Sequence, residues 1–461
     1  MGKPQKNKKR TGAGAAQTAH RPAGQRAGAA WGERDRGRER ANAADPCGVS
    51  RVCGACQYVG EPYERQLERK TRFVRDLFCE AGLVEAAQVG VVVADTLGMA
   101  DPFHYRNKVI SPFARGKRLA DKGKRGVRFE IQTGMYAAHS HRLVSTEGCL
   151  VENEQAKLVV KTVKQLMGKF NVEPYDEDTG TGFMRHVVVR VGHNSGEMLV
   201  TLVTNAEEFP ASRSFCRELV RRCPFITTVV QNVNLRQTNV ILGQREQRLY
   251  GPGFILDELC GLSFRISSQS FYQVNSAQTE VLYDTAIELA DLDGAQSAID
   301  AYCGTGTIGL VAASRGAASV VGVDSVESSI RDARENARHN GIENARFVAA
   351  DATAFMRDAA AEGASCDVVF MDPPRAGSTE AFLDALCAMA PARVVYISCN
   401  PKTQVRDLAY LAARGWVVRR VVPVDMFPHT EHVETVALVE RADDELRRGT
   451  EQRRSNAASI G

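Results

Sequence analysis

The chain has 461 residues, 44% of them hydrophobic and 25% charged; this globular composition excludes a wholly disordered or collagen-like protein and predicts two or three domains. No apolar run approaches the roughly 18 residues needed to cross a bilayer, and the basic N-terminus leads into no apolar block of the signal-peptide kind, so a cytoplasmic protein without a membrane partner is expected. There its 12 cysteines are expected to be free thiols, metal ligands or nucleophiles rather than disulfides.

The net charge of +4 is unevenly spread: residues 1–46 hold eleven Lys/Arg against four acids, and the rest of the chain is net −3. This stretch is rich in Gly, Ala, Arg and Lys and cannot offset its ordering entropy, so it reads as a disordered basic arm. Such an arm suits a polyanion through salt-sensitive contacts, or serves only as a solubilising tail. Residues 47–150 form a cysteine-bearing segment with seven Lys/Arg between Arg115 and Arg128, a charged loop or hairpin suited to nucleic acid. Cys47, Cys53 and Cys56 lie close together and Cys149 far downstream; four such thiolates can make a tetrahedral sulfur site, for zinc by default or for an iron–sulfur cluster.

Residues 151–260 read as an α+β middle domain. Ala156, Val159, Val160, Val163 and Met167 recur at helical spacing. HVVVRVG and EMLVTLVT flank Asn194-Ser195-Gly196 as a hairpin, and TTVVQNVNLRQTNVILG reads as a second strand pair. From 261 to 441, β runs (SAIDAY, ASVVGVD, ARFVAAD, CDVVFMD, RVVYISC) alternate with helical runs near 307–315 and 326–339. That alternation predicts a doubly wound, Rossmann-like α/β sheet. Residues 442–461 are a polar tail.

The first strand of this sheet ends in Asp300-Ala301-Tyr302-Cys303-Gly304-Thr305-Gly306-Thr307-Ile308-Gly309, and Asp324 ends the second. The glycines let the backbone turn under a ligand, and a carboxylate at the next strand end can accept from ribose hydroxyls, as adenosine binding requires. The glycine pattern alone fits NAD as well as S-adenosylmethionine. Its place some 295 residues into the chain, followed by Asp372-Pro373-Pro374-Arg375, favours S-adenosylmethionine over hydride chemistry. The two prolines stiffen a lip on which Asp372 can accept from a planar base. Cys399, between Ser398 and Asn400 at the end of a strand, is a nucleophile candidate, whereas Cys366 and Cys387 read as small buried hydrophobes. His429, Glu431, His432 and Glu434 offer an acid or base to the same crevice.

HYRNKV (104–109), SHRLVSTEGCLVE (140–152), TNVILG (238–243), SFRISSQSFYQVN (263–275), DAYCGTGTIGL, MDPPRAG, VVYISCNP and FPHTEHVETVALV, in this order, resemble the RNA uracil carbon-5 methyltransferases, which modify uridine in 23S ribosomal RNA or transfer RNA. The resemblance spans Cys47 to about Val439. It implies a class I methyltransferase sheet, Cys399 as nucleophile and Glu434 as the base that removes the carbon-5 proton. Gln273, Tyr302, Asp324 and Asp372 match positions lining the S-adenosylmethionine and uracil site. Cys47, Cys53, Cys56 and Cys149 match [4Fe-4S] ligands, which shifts the expected occupant from zinc to that cluster.

The sequence departs from the family in three places. Many members begin with a β-barrel RNA-binding module, whereas residues 1–46 carry no strand pattern, so RNA selection is expected elsewhere. Asp324 stands where a longer Glu is frequent. The 92 residues between Cys56 and Cys149 suggest an inserted segment near 57–95. The leading expectation is therefore a 23S ribosomal RNA uracil-5 methyltransferase with RNA as partner and no obligate protein partner. The same chemistry on transfer RNA is the near alternative. An RNA-binding assembly protein without catalysis would need a broken SCNP or HVET, and both are intact; a nicotinamide oxidoreductase ranks lower still.

Overall fold

The computed structural model describes residues 45–119, 129–137, 140 and 142–442. Residues 1–44 of the basic arm, residues 120–128 of the basic stretch and residues 443–461 of the polar tail lie outside the described residues. The central sheet is built from β1 (Lys108–Arg118), β2 (Phe129–Thr133), β5 (Met184–Val191), β6 (Met198–Thr204), β7 (Thr228–Val233) and β8 (Arg245–Tyr250), in the order β2-β1-β5-β6-β7-β8. A short pair, β3 (Met135–Tyr136) with β4 (Leu143–Val144), stands beside it. The expected boundary near 150 is crossed by this sheet, because β1 pairs antiparallel with β5 from Lys108↔Arg190 to Pro112↔His186. β5 and β6 are buried along their whole length, which explains continuous apolar runs rather than alternation. The helices Glu154–Lys169 and Ser212–Arg222 bury Val159, Val163, Leu166, Phe215 and Leu219 against Val187, Val189, Val200 and Leu202. Asn153 starts the first of them by accepting from Ala156 N at 3.1 Å, the usual role of an amide at a helix start.

The expected partner strand in TNVILG is not formed. Asn232 and Asn234 bind that stretch with their side chains: Asn232 Oδ1 accepts from Gly243 N at 2.6 Å, and Asn234 Nδ2 donates to Ile241 O at 2.9 Å. Local amide bonds thus compete with a strand ladder, and the returning strand is β8, seven residues further on.

β9 (Ile255–Leu259) and β10 (Leu262–Ile266) form a hairpin across the expected boundary at 260 and lead into the helix Ser276–Ala290. The doubly wound sheet follows: β11 (Ser297–Ala301), β12 (Ser319–Asp324), β13 (Ala345–Ala349), β14 (Val368–Met371), β15 (Arg393–Ser398), β16 (Trp416–Val424) and β17 (Glu434–Arg441), in the order β13-β12-β11-β14-β15-β17-β16. The first five in this order are parallel, and β17 is antiparallel to both its neighbours. Apolar clusters fill both faces, one around Leu310, Ile330, Phe370 and Ile397, the other around Met356, Phe382, Tyr396 and Leu408.

Residues 57–95, expected as an insertion, are integral to this core. The helix Tyr63–Glu80 buries Val74 and Phe78 in the second cluster, and Lys70 Nζ donates to Asp425 Oδ1 at 2.6 Å with both side chains buried. The strand edge is covered too, since Ala94 N and Leu97 N donate to Val421 O and Pro423 O, each at 2.9 Å. No helix among the described residues is long and apolar enough to cross a membrane.

Candidate active site

The carboxyl ends of β11, β12, β14 and β15 lie along one edge of the parallel sheet, where an open α/β sheet has its ligand crevice. β11 delivers Tyr302 through a left-handed turn, φ 66°, and its hydroxyl meets that of Ser378 at 3.1 Å. Gly306 sits at φ 80°, and a Cβ there would lie 2.7 Å from the Phe347 ring, so both backbone and space demand glycine. Asp324 Oδ2 accepts from Gly304 N at 3.0 Å and Oδ1 from Val326 N at 2.8 Å. The carboxylate thereby ties two turns together, and its remaining lone pairs stay free for hydroxyl donors. Asp300, which sequence reasoning gave no role of its own, is buried and accepts from Gly309 N at 2.8 Å through Oδ2. Burial first, then the charges of Asp372 and Asp324, push its pKa up to about 8.

The thiol and the carboxyl meet through strand register. β15 pairs with β17 up to Ser398↔Thr435, so the next opposed positions are Cys399 and Glu434. Opposed positions on neighbouring strands place their Cβ atoms roughly 5 Å apart. Thr435 Oγ1 donates to Gln404 Oε1 at 2.7 Å, and Gln404 Nε2 donates to Tyr396 O at 2.9 Å, locking that register. The loop after β14 is tied to the loop after β15, because Asn400 Nδ2 and Thr403 Oγ1 both donate to Arg375 O, at 3.0 and 3.2 Å. Four side chains therefore share one electrostatic environment. Burial raises the Cys399 thiol, the charges of Glu434 and Asp372 raise it further, and Arg375 opposes them. Glu434, only 4% exposed, is pushed up to about 8 by burial and by Asp372, against Arg375. Burial brings Asp372 to about 7.

Glu431, which spacing alone could not separate from Glu434, is exposed. His429 is buried and His432 exposed, the latter near Arg375. Gln273 lies between β10 and the helix Ser276–Ala290. Its carbonyl accepts from Asn107 Nδ2 at 3.0 Å, and nearby Asn275 Nδ2 donates to Met426 O at 3.1 Å, which seats this loop beside the segment leading to Glu434. Asp407 was missed, since nothing local marks it: its Oδ2 accepts from Ser378 N at 2.8 Å and from the Tyr396 hydroxyl at 2.7 Å, supporting the partner of Tyr302. Cys366 is buried against the Met389 sulfur at 3.4 Å, whereas Cys387 is only partly buried.

The other four expected cysteines lie near one another. Cys56 is pushed up to about 12 by burial and then by Cys149, Cys53 and Cys47 in turn, so all three neighbour it. Among the described residues no three such side chains stand as a ready-made metal cage; Cys53 Sγ instead faces the Met135 sulfur at 3.6 Å. The four thiols converge, but their sulfurs are not at ligand positions.

A parallel sheet with one antiparallel strand inserted beside its edge, a glycine turn and an acid at the second strand end define a Rossmann-like methyltransferase fold. A profile described as tRNA (Uracil-5-)-methyltransferase matches residues 258–442. Uncharacterized RNA methyltransferases of Halalkalibacterium halodurans and Staphylococcus aureus N315 are 41% and 42% identical over 395 residues, 86% of this chain and 83% and 84% of theirs. The structure of Pyrococcus abyssi tRNA (uracil-54, C5)-methyltransferase in complex with S-adenosyl-L-homocysteine matches with a TM-score of 0.66 at 27% identity, covering 84% of this chain and 86% of that one. The chain belongs to the RNA uracil-5 methyltransferase family.

Proposed function

We propose that this protein methylates carbon 5 of a uridine in 23S ribosomal RNA, with S-adenosylmethionine as methyl donor, Cys399 as nucleophile and Glu434 as base. The observation that carries the reading is the β15–β17 register, paired up to Ser398↔Thr435, whose continuation by one position sets the Cys399 thiol opposite the buried Glu434 carboxyl. Carbon 5 of neutral uracil is a weak nucleophile. Addition of the Cys399 thiolate to carbon 6 converts the ring to an enolate whose carbon 5 attacks the methyl group of S-adenosylmethionine, forming the new carbon–carbon bond as the methyl–sulfur bond breaks and S-adenosylhomocysteine leaves. Glu434 then removes the carbon-5 proton; the freed electron pair forms the 5,6 double bond as the carbon–sulfur bond breaks and Cys399 leaves. Tyr302, Asp324, Asp372 and Gln273 are assigned to holding the cofactor and the uracil, and Arg375 to favouring the thiolate. A stacked base cannot enter such a crevice, so the uridine is taken from a loop or flipped out.

The ribosomal substrate is favoured by the cysteine set, which the family resemblance associates with ribosomal RNA enzymes. Transfer RNA is the second reading, favoured by the Pyrococcus abyssi likeness. Cys47, Cys53, Cys56 and Cys149 are assigned to a [4Fe-4S] cluster, with zinc as the competing occupant; when bound, it would cross-link the loop at 47–56 to the turn at 149. Incubation with labelled S-adenosylmethionine and either 23S or transfer RNA, followed by mapping of 5-methyluridine, tests the substrate. In the same assay Cys399→Ala is expected to abolish both turnover and adduct, and Glu434→Gln to trap a protein–RNA adduct; a fully active Cys399→Ala enzyme overturns the mechanism.

A further inference from the structure

The chain that follows the cysteine loop grips the turn that delivers Glu434. Gln66, on the helix Tyr63–Glu80, is fully buried. Its Oε1 accepts from His429 N at 3.0 Å, and its Nε2 lies 3.2 Å from His429 Nδ1. The same Gln66 Nε2 faces the carbonyls of Glu61 at 2.8 Å and Tyr58 at 3.2 Å, which settles which end of the amide is nitrogen.

The gripped turn is unusual. His429 takes φ 68°, a region that β-carbon-bearing residues enter only when their surroundings hold them there. Its ring stacks on Phe103, centroids 4.8 Å apart, and its carbonyl accepts from Tyr58 N at 2.9 Å. Two residues on, Glu431 N donates to Gln57 Oε1 at 3.2 Å. Gln57 and Tyr58 directly follow Cys56. The cysteine loop is thus hydrogen-bonded to the turn that ends at the buried carboxyl.

We propose that Gln66 is a positioning residue for Glu434, holding the left-handed turn at His429 through its amide oxygen and the chain that follows Cys56 through its amide nitrogen, and so linking the cysteine loop to the base. The proposal rests on the assignment of Glu434 as base. A carboxylate at position 66 offers no N–H and would face the carbonyl oxygens of Tyr58 and Glu61, which accept from the amide. The turn would then relax toward ordinary φ and withdraw Glu434 from the carbon-5 proton. Cys399 is held separately, through Asn400, Thr403 and Arg375, so its addition to carbon 6 is spared.

The test compares wild type, Gln66→Glu, Gln57→Ala and Glu434→Gln, each as full chain with S-adenosylmethionine and RNA. Gln66→Glu is expected to accumulate methylated protein–RNA adduct on denaturing gels and to lose roughly 10- to 100-fold in kcat, the scale of a small misplacement of a reacting group. Its KM for S-adenosylmethionine is unchanged, a split that general loosening of the fold would not produce. If Gln66→Glu shows no adduct above wild type while Glu434→Gln does, the proposal falls and the base assignment stands. If Glu434→Gln itself traps nothing, the base assignment falls and takes the proposal with it. Should Gln66→Glu fail to fold, Gln57→Ala, which removes the side-chain hydrogen bonds to Glu431 N and Gly54 O, decides the matter: adduct supports the proposal, and its absence overturns it.

Discussion

Burial pushes Asp372 up to about 7 and, with the charge of Asp372 and against Arg375, pushes Glu434 up to about 8. Two consequences follow at the scale of single residues. On the proposed assignment of these carboxyls to the active crevice, the sulfonium of S-adenosylmethionine would bring a positive charge to them, whereas the thioether of S-adenosylhomocysteine would not. Binding of S-adenosylmethionine near pH 7.5 is therefore expected to release protons, and its affinity to rise with pH through that range, more than for S-adenosylhomocysteine; calorimetry in buffers of different ionisation enthalpy reads this directly. The second consequence concerns stability. Glu434 is raised from 4.5 to about 8 in the folded chain, so the native state binds the extra proton. The stability it contributes is full below pH 4.5 and lost as pH rises toward 8. Across that interval the Tm of wild type should fall more than the Tm of Glu434→Gln.

At the scale of elements, the helix Tyr63–Glu80 is bound to the catalytic sheet by one buried ion pair and the groups around it. Asp425 accepts from Lys70 Nζ at 2.6 Å and from the Tyr63 hydroxyl at 2.9 Å, and Lys70 Nζ also reaches Phe427 O at 3.2 Å. Breaking such a pair from one side leaves an uncompensated buried charge, which costs about 3–5 kcal/mol. Lys70→Met is expected to lose that much in urea unfolding, and Lys70→Met/Asp425→Asn to recover most of it. Additive losses in the double variant would show that the two side chains do not act as a pair.

At the scale of the whole molecule, the cysteine loop and the crevice belong to one hydrogen-bonded structure. Protein purified without oxygen is expected to be brown, with iron and sulfide in the proportion of a [4Fe-4S] cluster. Colourless protein carrying zinc on the same four thiols would overturn the cluster assignment. Chelation in either case should loosen residues 47–58 first, read as faster amide exchange there than in β14 and β15, because metal-bound loops owe much of their order to the metal.

The alternating β and helical runs after residue 295, the glycine turn, Asp324, Asp372 and Cys399 were all legible in the sequence, because each sits at the end of a local pattern of strand, turn and helix. The hairpin β5–β6 and the helix beginning at Asn153 were legible for the same reason. Other features depend on neighbours far along the chain. The sequence placed Glu431 and Glu434 three residues apart with equal chemical standing; only the antiparallel pairing of β15 and β17, segments more than 30 residues apart, buries one opposite the thiol and leaves the other in water. The failure of TNVILG to form a strand depends on Asn232 and Asn234, whose amides satisfy that loop before a strand can. The role of residues 57–95 was likewise hidden, because Lys70 meets Asp425 and Gln66 meets His429 only after the chain has closed on itself. Local patterns write the elements and the chemistry at their ends, while register and long-range burial choose which carboxyl faces the sulfur.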